Sequence, residues 1–226
     1  MRTNPTRIMA DKLLIPSRTE VRELVSFAHH LADLSDHAIL PQFRRALSVQ
    51  NKDKAGGFDP VTAADKAAER VLRKEIRTRY PDHGIAGEEY GSVAGSGHYR
   101  WTLDPIDGTR AFIIGAPLWG TLIGLQHADA PLLGLMSQPF TRERFWSDGK
   151  TARWRQGTGK EKRLSTRTCS RLDQAVLTST HPDLFGDGFE RAAFAQLKAG
   201  TRMTRFGGDC YGYCLLAAGH VDLVVE

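Results

Sequence analysis

Cysteine is scarce in this sequence, and none of what it has is arranged for cross-linking. The 226 residues hold Cys169, Cys210 and Cys214 alone, so at least one thiol is unpaired. No Cys-x-x-Cys occurs, and Cys210 and Cys214 fall one helical turn apart rather than at metal-ligand spacing. A disulfide framework and a zinc site are thereby excluded as organising features. A reducing cytoplasm is the expected compartment, with the thiols serving as small buried hydrophobes. Long apolar runs are missing as well. Nothing approaches the ~18 consecutive apolar residues of a membrane span, and the stretch from Met1 to Arg18 lacks the apolar core of a secretory signal. Met1–Asp11 reads as a frayed tail. There is no internal repeat and no low-complexity block. Acidic charge is in the minority, with 26 Asp and Glu against 31 Lys and Arg, a net charge of +5. Much of the excess lies between Arg142 and Arg163, with Phe145, Trp146 and Trp154 interleaved. That segment is either a charged, solvent-facing hairpin or a nucleic-acid surface with aromatic stacking platforms.

With 41% hydrophobic and 25% charged residues, the chain suits one large domain or two lobes with a proper core. Its organising stretch is Trp101-Thr-Leu-Asp104-Pro-Ile-Asp107-Gly-Thr109-Arg-Ala-Phe112. A short apolar run brings Asp104 to the end of a strand. Pro105 and Asp107-Gly108 then have the chemistry of a type I turn, which would point both carboxylates to one side. Gly108 and Thr109 lead into a possible helix start, where backbone N–H groups can face an anion. Upstream lie two further acidic motifs, Asp59-Pro-Val-Thr62-Ala-Ala-Asp65 and Gly87-Glu88-Glu89. Hard oxygen donors beside N–H donors describe a metal-dependent phosphate site, and Mg²⁺ is the expected ion.

Taken in this order, these three motifs resemble the inositol monophosphatase family of Mg²⁺-dependent phosphatases, across roughly residues 20 to 226. Arg110-Ala-Phe112-Ile, Gly115-Ala-Pro-Leu-Trp119-Gly-Thr-Leu and Phe206-Gly-Gly-Asp209-Cys-Tyr211 resemble its histidinol-phosphatase branch. The resemblance implies a layered αβαβα sandwich with the site between two lobes, about 15–163 and about 164–226. It implies that Glu88 and Asp104 hold one ion with the Ile106 carbonyl, and that Asp104 and Asp107 hold a second. Two such ions, roughly 3.5–4 Å apart, clamp the attacking and leaving oxygens of an in-line displacement. Thr109 would help activate the attacking water, and the N–H groups of Gly108 and Thr109 would fix the phosphate. Lys54 would lie near the metals. Asp65 has two readings: a favourable charge at a helix N-terminus, or a ligand of a weaker third ion. Asp209 and Glu226 are the candidates to meet the cationic amine and imidazole of histidinol, with a plain turn residue as the other reading of Asp209. The expected reaction is hydrolysis of L-histidinol phosphate in histidine biosynthesis. The alternatives are an inositol or sugar phosphate, or a relative that binds without turnover. A small phosphate ester is the expected partner, and a homodimer the expected assembly.

In chain order, Ser17-Arg-Thr-Glu20 has the form of a capping box. Val21, Leu24, Val25, Ala28, Leu31 and Leu34 then recur at helical spacing, with His29, His30 and His37 read as surface or satisfied residues. Thr62 caps a second helix whose apolar face is Ala64, Ala67, Ala68, Val71, Leu72 and Ile76. Gly91 to Gly97 reads as a mobile loop. Strands are expected from Trp119, Pro131, Arg144 and Ala152. From about Leu164 the pattern becomes α/β, with a strand at Ala175–Ser179, helices at Phe189–Leu197 and Tyr211–Ala218, and an apolar strand at Val221–Val225. The family continues past this point into a segment bearing another aspartate, a ligand of the second ion. No residue here takes that role, Asp222 being a poor substitute, and Val221–Val225 is expected as an exposed sheet edge.

Overall fold

Ser17 starts the first helix, α1 (Arg18–Ile39): its Oγ accepts from Glu20 N at 3.2 Å, and the Glu20 carboxylate accepts from Ser17 N at 3.4 Å. The computed structural model describes residues 16–46, 49–51 and 60–226; the expectations for Met1–Asp11, Lys54 and Asp59 lie outside them. The buried stripe of α1 is Leu24, Phe27, Ala28, Leu31, Ala32, Ser35 and Ile39. It is turned slightly from the expected one, because the sheet takes Phe27 and Ala32 inward and leaves Val21, Val25 and Leu34 at the margin.

Two short strands, β1 (Val49–Asn51) and β2 (Pro60–Thr62), pair antiparallel and lead into α2 (Ala63–Arg79). Thr62 Oγ1 caps α2 by accepting from Ala64 N at 3.1 Å. The face of α2 differs from the periodicity. Val71 is exposed, while Glu69 and Arg73 are buried. Hydropathy alone cannot reveal two charges that enter a core as a pair.

A mixed eight-stranded sheet carries the site. It comprises β3 (Gly84–Gly87), β4 (Gly91–Val93), β5 (Tyr99–Asp107), β6 (Gly120–His127), β7 (Ala130–Gln138), β8 (Glu143–Ser147), β9 (Ala152–Gln156) and β10 (Lys162–Arg163). Its spatial order is β10-β9-β8-β7-β6-β5-β3-β4. The segment expected as a mobile loop from Gly91 supplies β4, which pairs antiparallel with β3. Only β3 and β5 are parallel in this sheet. Trp101 and Leu103 face α1 and α2 in one core with Leu31, Leu72 and Ile85. The period of two along a strand then sends Thr102 and Asp104 to the opposite face. The basic segment continues the sheet as β8 to β10. Phe145 and Trp146 are buried in it and Trp154 donates its indole N–H to Glu143 at 3.0 Å, so these aromatics are not exposed stacking platforms.

After β10 the architecture changes. β11 (Val176–Ser179), β12 (Met203–Phe206) and β13 (Leu223–Val224) form a parallel sheet in the order β12-β11-β13. The short helix α3 (Thr109–Ile113) follows β5, while α4 (Phe189–Gly200) and α5 (Asp209–Ala217) make the crossovers of the second sheet. Only two residues of the expected strand Val221–Val225 pair, and β13 forms one edge of that sheet. Asp222 accepts from Val176 N at 2.7 Å and from Arg167 Nε at 2.7 Å. Both roles fasten the edge of the second sheet rather than the acidic site. Met136 and Phe145 of the first sheet pack on Cys210 and Cys214 of α5. These two thiols are buried as expected, but Cys169 is exposed.

Candidate active site

Asp104 and Asp107 come together by a different device from the expected turn. β5 continues through Pro105 and Ile106 to Asp107, and its register with β6 shifts between Asp104 and Asp107. A bulge of this kind re-aims side chains, and it is also where a strand tolerates proline, whose missing N–H leaves no broken ladder bond. Each carboxylate is then pinned by a backbone N–H. Asp104 Oδ1 accepts from Ile106 N at 3.1 Å, and Asp107 Oδ1 accepts from Cys210 N at 3.0 Å. Gly108 turns the chain next, at φ 87°. A Cβ there would meet the Leu118 carbonyl oxygen at 2.8 Å, so glycine serves both the conformation and the close approach.

Thr109 Oγ1 donates to the Ile106 carbonyl at 3.0 Å. With its own proton committed there, that oxygen can only accept from a water above it. Glu88 follows β3, and its N–H donates to the Leu103 carbonyl at 3.3 Å, which sets it against β5. The Glu88 and Asp104 side chains share a hydrogen bond, Asp104 feels the charge of Asp65, and Asp65 feels that of Glu88. Asp65 itself closes the α2 capping box: its Oδ2 accepts from Thr62 N at 2.8 Å and from Thr62 Oγ1 at 2.5 Å. Burial raises the Asp65 carboxyl above the usual range, with a further push from Glu88.

The electrostatics of this group are those of crowded carboxylates. Burial first, then the carboxylates of Glu88 and Asp107, push Asp104 up to about 9. Across the cavity, burial and the charges of Asp107 and Glu226 raise Asp209 to about 6. Among the described residues no three His, Cys, Asp or Glu side chains are already grouped as a finished metal cage. The donor set nonetheless fits a hard divalent cation. It is made of oxygen donors only, with Asp65 buried, Asp104 and Asp107 half-buried and Glu88 exposed, and it holds a proton at Asp104 where a cation would offset the crowded charge.

Asp104, Asp107, Asp209 and Glu226 line one cavity of about 860 Å³ between the first sheet and α5. Asp65, Glu88, Ile106, Gly108 and Thr109 are not among the residues that line it, and Ile106 is buried. Asp209 has φ 42°, a left-handed conformation for a residue that is not glycine. Glu226 Oε1 accepts from Thr180 N at 3.0 Å and Thr180 Oγ1 at 2.9 Å, which fixes it at the tips of the second sheet.

Sequence reasoning missed Glu69. Buried completely on α2, its carboxylate accepts from Glu89 N at 2.7 Å, Tyr90 N at 3.2 Å and Arg73 Nε at 2.6 Å. Arg73 also donates to the Gly91 carbonyl. The pair therefore holds the backbone from Glu89 to Gly91, directly after Glu88. A Cβ on Gly87 would meet Glu69 Oε1 at 2.0 Å, which explains the glycine before Glu88. The available signal was the i, i+4 spacing of Glu69 and Arg73, which is common on exposed helix faces as well.

Residues 20–226 match the family model of the inositol monophosphatase family. The chain is 41% identical over 212 residues to the chloroplastic bifunctional phosphatase IMPL2 of Arabidopsis thaliana, covering 93% of this chain and 59% of that protein. It is 35% identical over 204 residues to the histidinol-phosphatase of Streptomyces coelicolor, covering 88% of this chain and 76% of that enzyme. Among solved structures, an inositol monophosphatase from Zymomonas mobilis superposes with a TM-score of 0.77 at 38% identity, over 93% of this chain and 78% of that one.

Proposed function

Because this chain belongs to the inositol monophosphatase family, in its histidinol-phosphatase branch, we propose that it hydrolyses phosphate monoesters with Mg²⁺ and prefers L-histidinol phosphate. The observation that carries the reading is the crowding of half-buried Asp104 by Glu88 and Asp107, which raises its carboxyl, at the wall of a cavity sized for a small ester. Glu88, Asp104, Asp107 and the Ile106 carbonyl would hold the cation, with Asp65 as a more distant donor. Bound there, Mg²⁺ supplies Lewis-acid stabilisation of the transferring phosphoryl group and lowers the pKa of a coordinated water.

The protein's own groups do the rest. Thr109 Oγ1 accepts a hydrogen bond from the attacking water and so turns a lone pair of that water toward phosphorus. The N–H groups of Gly108 and Thr109 orient the phosphoryl oxygens. Asp209 and Glu226 lie on the same cavity as Asp104, where they complement the ammonium and imidazole of histidinol. A substrate cation beside Asp209 would hold that carboxyl ionised, against the upward push that burial and Asp107 give it.

An inositol phosphate is the second reading, favoured by the likeness to the Zymomonas enzyme. Phosphate release from the two esters, with Mg²⁺ and with chelator, separates the readings. Chelator-sensitive release favouring histidinol phosphate is expected. Asp209→Asn should lower kcat/KM for histidinol phosphate by roughly ten- to a hundredfold, the worth of a hydrogen bond to a charged group, and leave inositol 1-phosphate nearly unchanged. Equal losses on both esters would remove Asp209 from specificity, and turnover of inositol phosphate alone would replace the substrate.

A further inference from the structure

Of the five tyrosines in the chain, all but one are committed to the fold. Tyr80 stacks on His83, Tyr90 accepts from Arg70 Nη1 at 3.0 Å, and Tyr99 donates to Glu20 at 2.6 Å. Tyr211 donates to Glu143 and sets its ring edge-on to Phe145. Tyr213 is the exception. It is 51% exposed, and among the described residues neither its hydroxyl nor its ring has a partner. Exposure by itself is ordinary for a tyrosine on a helix surface. Its place is not.

Tyr213 lines the same cavity as Asp104, Asp107, Asp209 and Glu226, and the seating of α5 is the reason. Gly212 is buried, and a Cβ there would meet Thr178 Cγ2 at 3.3 Å, so the helix lies close on β11. At its start, Cys210 N is anchored on Asp107 Oδ1 at 3.0 Å. With both contacts set, Asp209 and Tyr213, at i and i+4, share a stripe that faces the cavity. Burial first, and then the charges of Glu226 and Asp107, raise the Tyr213 phenol above its usual range, so the hydroxyl lies within reach of both acids. Measured from the end of α5 that meets Asp107, Tyr213 stands one turn, about 5.4 Å, farther along than Asp209.

In histidinol phosphate the imidazole lies beyond the amine-bearing carbon, counted from the ester oxygen. The cavity presents its groups in the same order: Asp104 and Asp107, then Asp209, then an open aromatic face. On the histidinol phosphate reading, which this inference takes as its premise, we propose that Tyr213 is a specificity-determining residue. Its ring packs against the substrate imidazole, which leaves the ammonium to Asp209 and Glu226. Such a pair forms when the ester binds and persists in the transition state, so it acts on KM rather than on kcat. An inositol ring is saturated and neutral, and gains nothing comparable.

Steady-state phosphate release with Mg²⁺ from histidinol phosphate and from inositol 1-phosphate tests this. Tyr213→Leu should raise KM for histidinol phosphate about three- to tenfold, the worth of one aromatic pair, with kcat and both inositol 1-phosphate constants nearly unchanged. Tyr213→Phe keeps the ring and should restore the parent's KM to within about twofold. Because the side chain is half-exposed, the fold should survive, and a thermal melt checks it. Tyr213→Gln repeats the comparison if leucine lowers the melt. An unchanged KM in Tyr213→Leu, with a parent that prefers histidinol phosphate, would overturn the role of Tyr213 and leave the substrate reading standing. Equal losses on both esters, or a Tyr213→Phe variant as impaired as Tyr213→Leu, would do the same. A parent that prefers inositol 1-phosphate, or releases phosphate from neither ester, would remove the substrate reading and the role of Tyr213 together.

Discussion

His29 sits on α1 against Trp146, half-buried, with Arg144 and Arg155 nearby. Burial first, and then the charges of those two arginines, lower its pKa from 6.5 to about 4. The sign of the consequence follows from proton uptake. Above 6.5 the ring is neutral in both folded and unfolded chains and makes no difference. Between 6.5 and about 4 the unfolded chain takes up a proton that the folded chain refuses, so stability falls as pH falls through that window. A full linkage of about 1.4 kcal/mol per pH unit is reduced by solvent at a half-buried site, leaving about 1–2 kcal/mol. His29→Phe keeps an aromatic edge for Trp146 and removes the titration. Urea melts at pH 6.5 and 4.5 should show the variant gaining about that amount over the parent at the lower pH. Parallel losses in both proteins would mean the ring protonates freely in the fold. The histidine pair also shows a limit of pattern reading. His30 meets Glu75 at 3.2 Å, as a surface residue can, whereas the partnerless state of His29 arises from a strand more than a hundred residues away.

At the scale of elements, α2 acts on the site through the Glu69–Arg73 pair. The helix contributes Asp65 at its N-terminus, and one turn later it fastens the segment that carries Glu88. Removing one partner of a buried ion pair leaves the other charge uncompensated, at about 3–5 kcal/mol. Glu69→Gln keeps the shape and loses the charge beside Arg73, so a cost near the lower end, about 3 kcal/mol, is expected in urea denaturation. Since the freed segment bears Glu88, the apparent Mg²⁺ affinity should fall about tenfold or more, read by calorimetry without substrate. A stability loss with unchanged Mg²⁺ affinity would make the pair a packing feature alone. β5 teaches a related lesson. Pro105 looks like the second residue of a turn, yet the strand runs on because β6 pairs with Asp104 and again with Asp107, and the bulge between them absorbs the proline.

For the molecule as a whole, the acidic site depends on both sheets being docked. Asp107 belongs to the first sheet but accepts from Cys210 N on α5, and Glu143 of β8 accepts from the Tyr211 hydroxyl. A cation bound to these carboxylates should therefore stabilise the whole fold by mass action. At a concentration a hundredfold above Kd the gain is about 2.7 kcal/mol, or roughly 5–10 °C in Tm for a chain of this size. Asp104→Asn should melt above the parent in chelator at neutral pH, by on the order of a few kcal/mol, since the folded parent must hold a proton at Asp104 that the unfolded chain gives up. It should lose the Mg²⁺-dependent rise. A rise that persists in this variant would place the ion elsewhere. Among the described residues no helix is long and apolar enough to cross a membrane.

By itself the sequence determined the local chemistry. The caps at Ser17 and Thr62, the strands around Asp104, the order of the acidic motifs and the change to a parallel sheet all follow from neighbours in the chain. Such features depend on dihedral preferences and on periodicity, which adjacent residues set. Tertiary structure decided which charges go inside. It buried Glu69 with Arg73, left Cys169 exposed and brought Asp209 and Glu226 to the cavity of Asp104. Each of those outcomes depends on desolvation and on partners distant in sequence, and neither quantity is written in any local window.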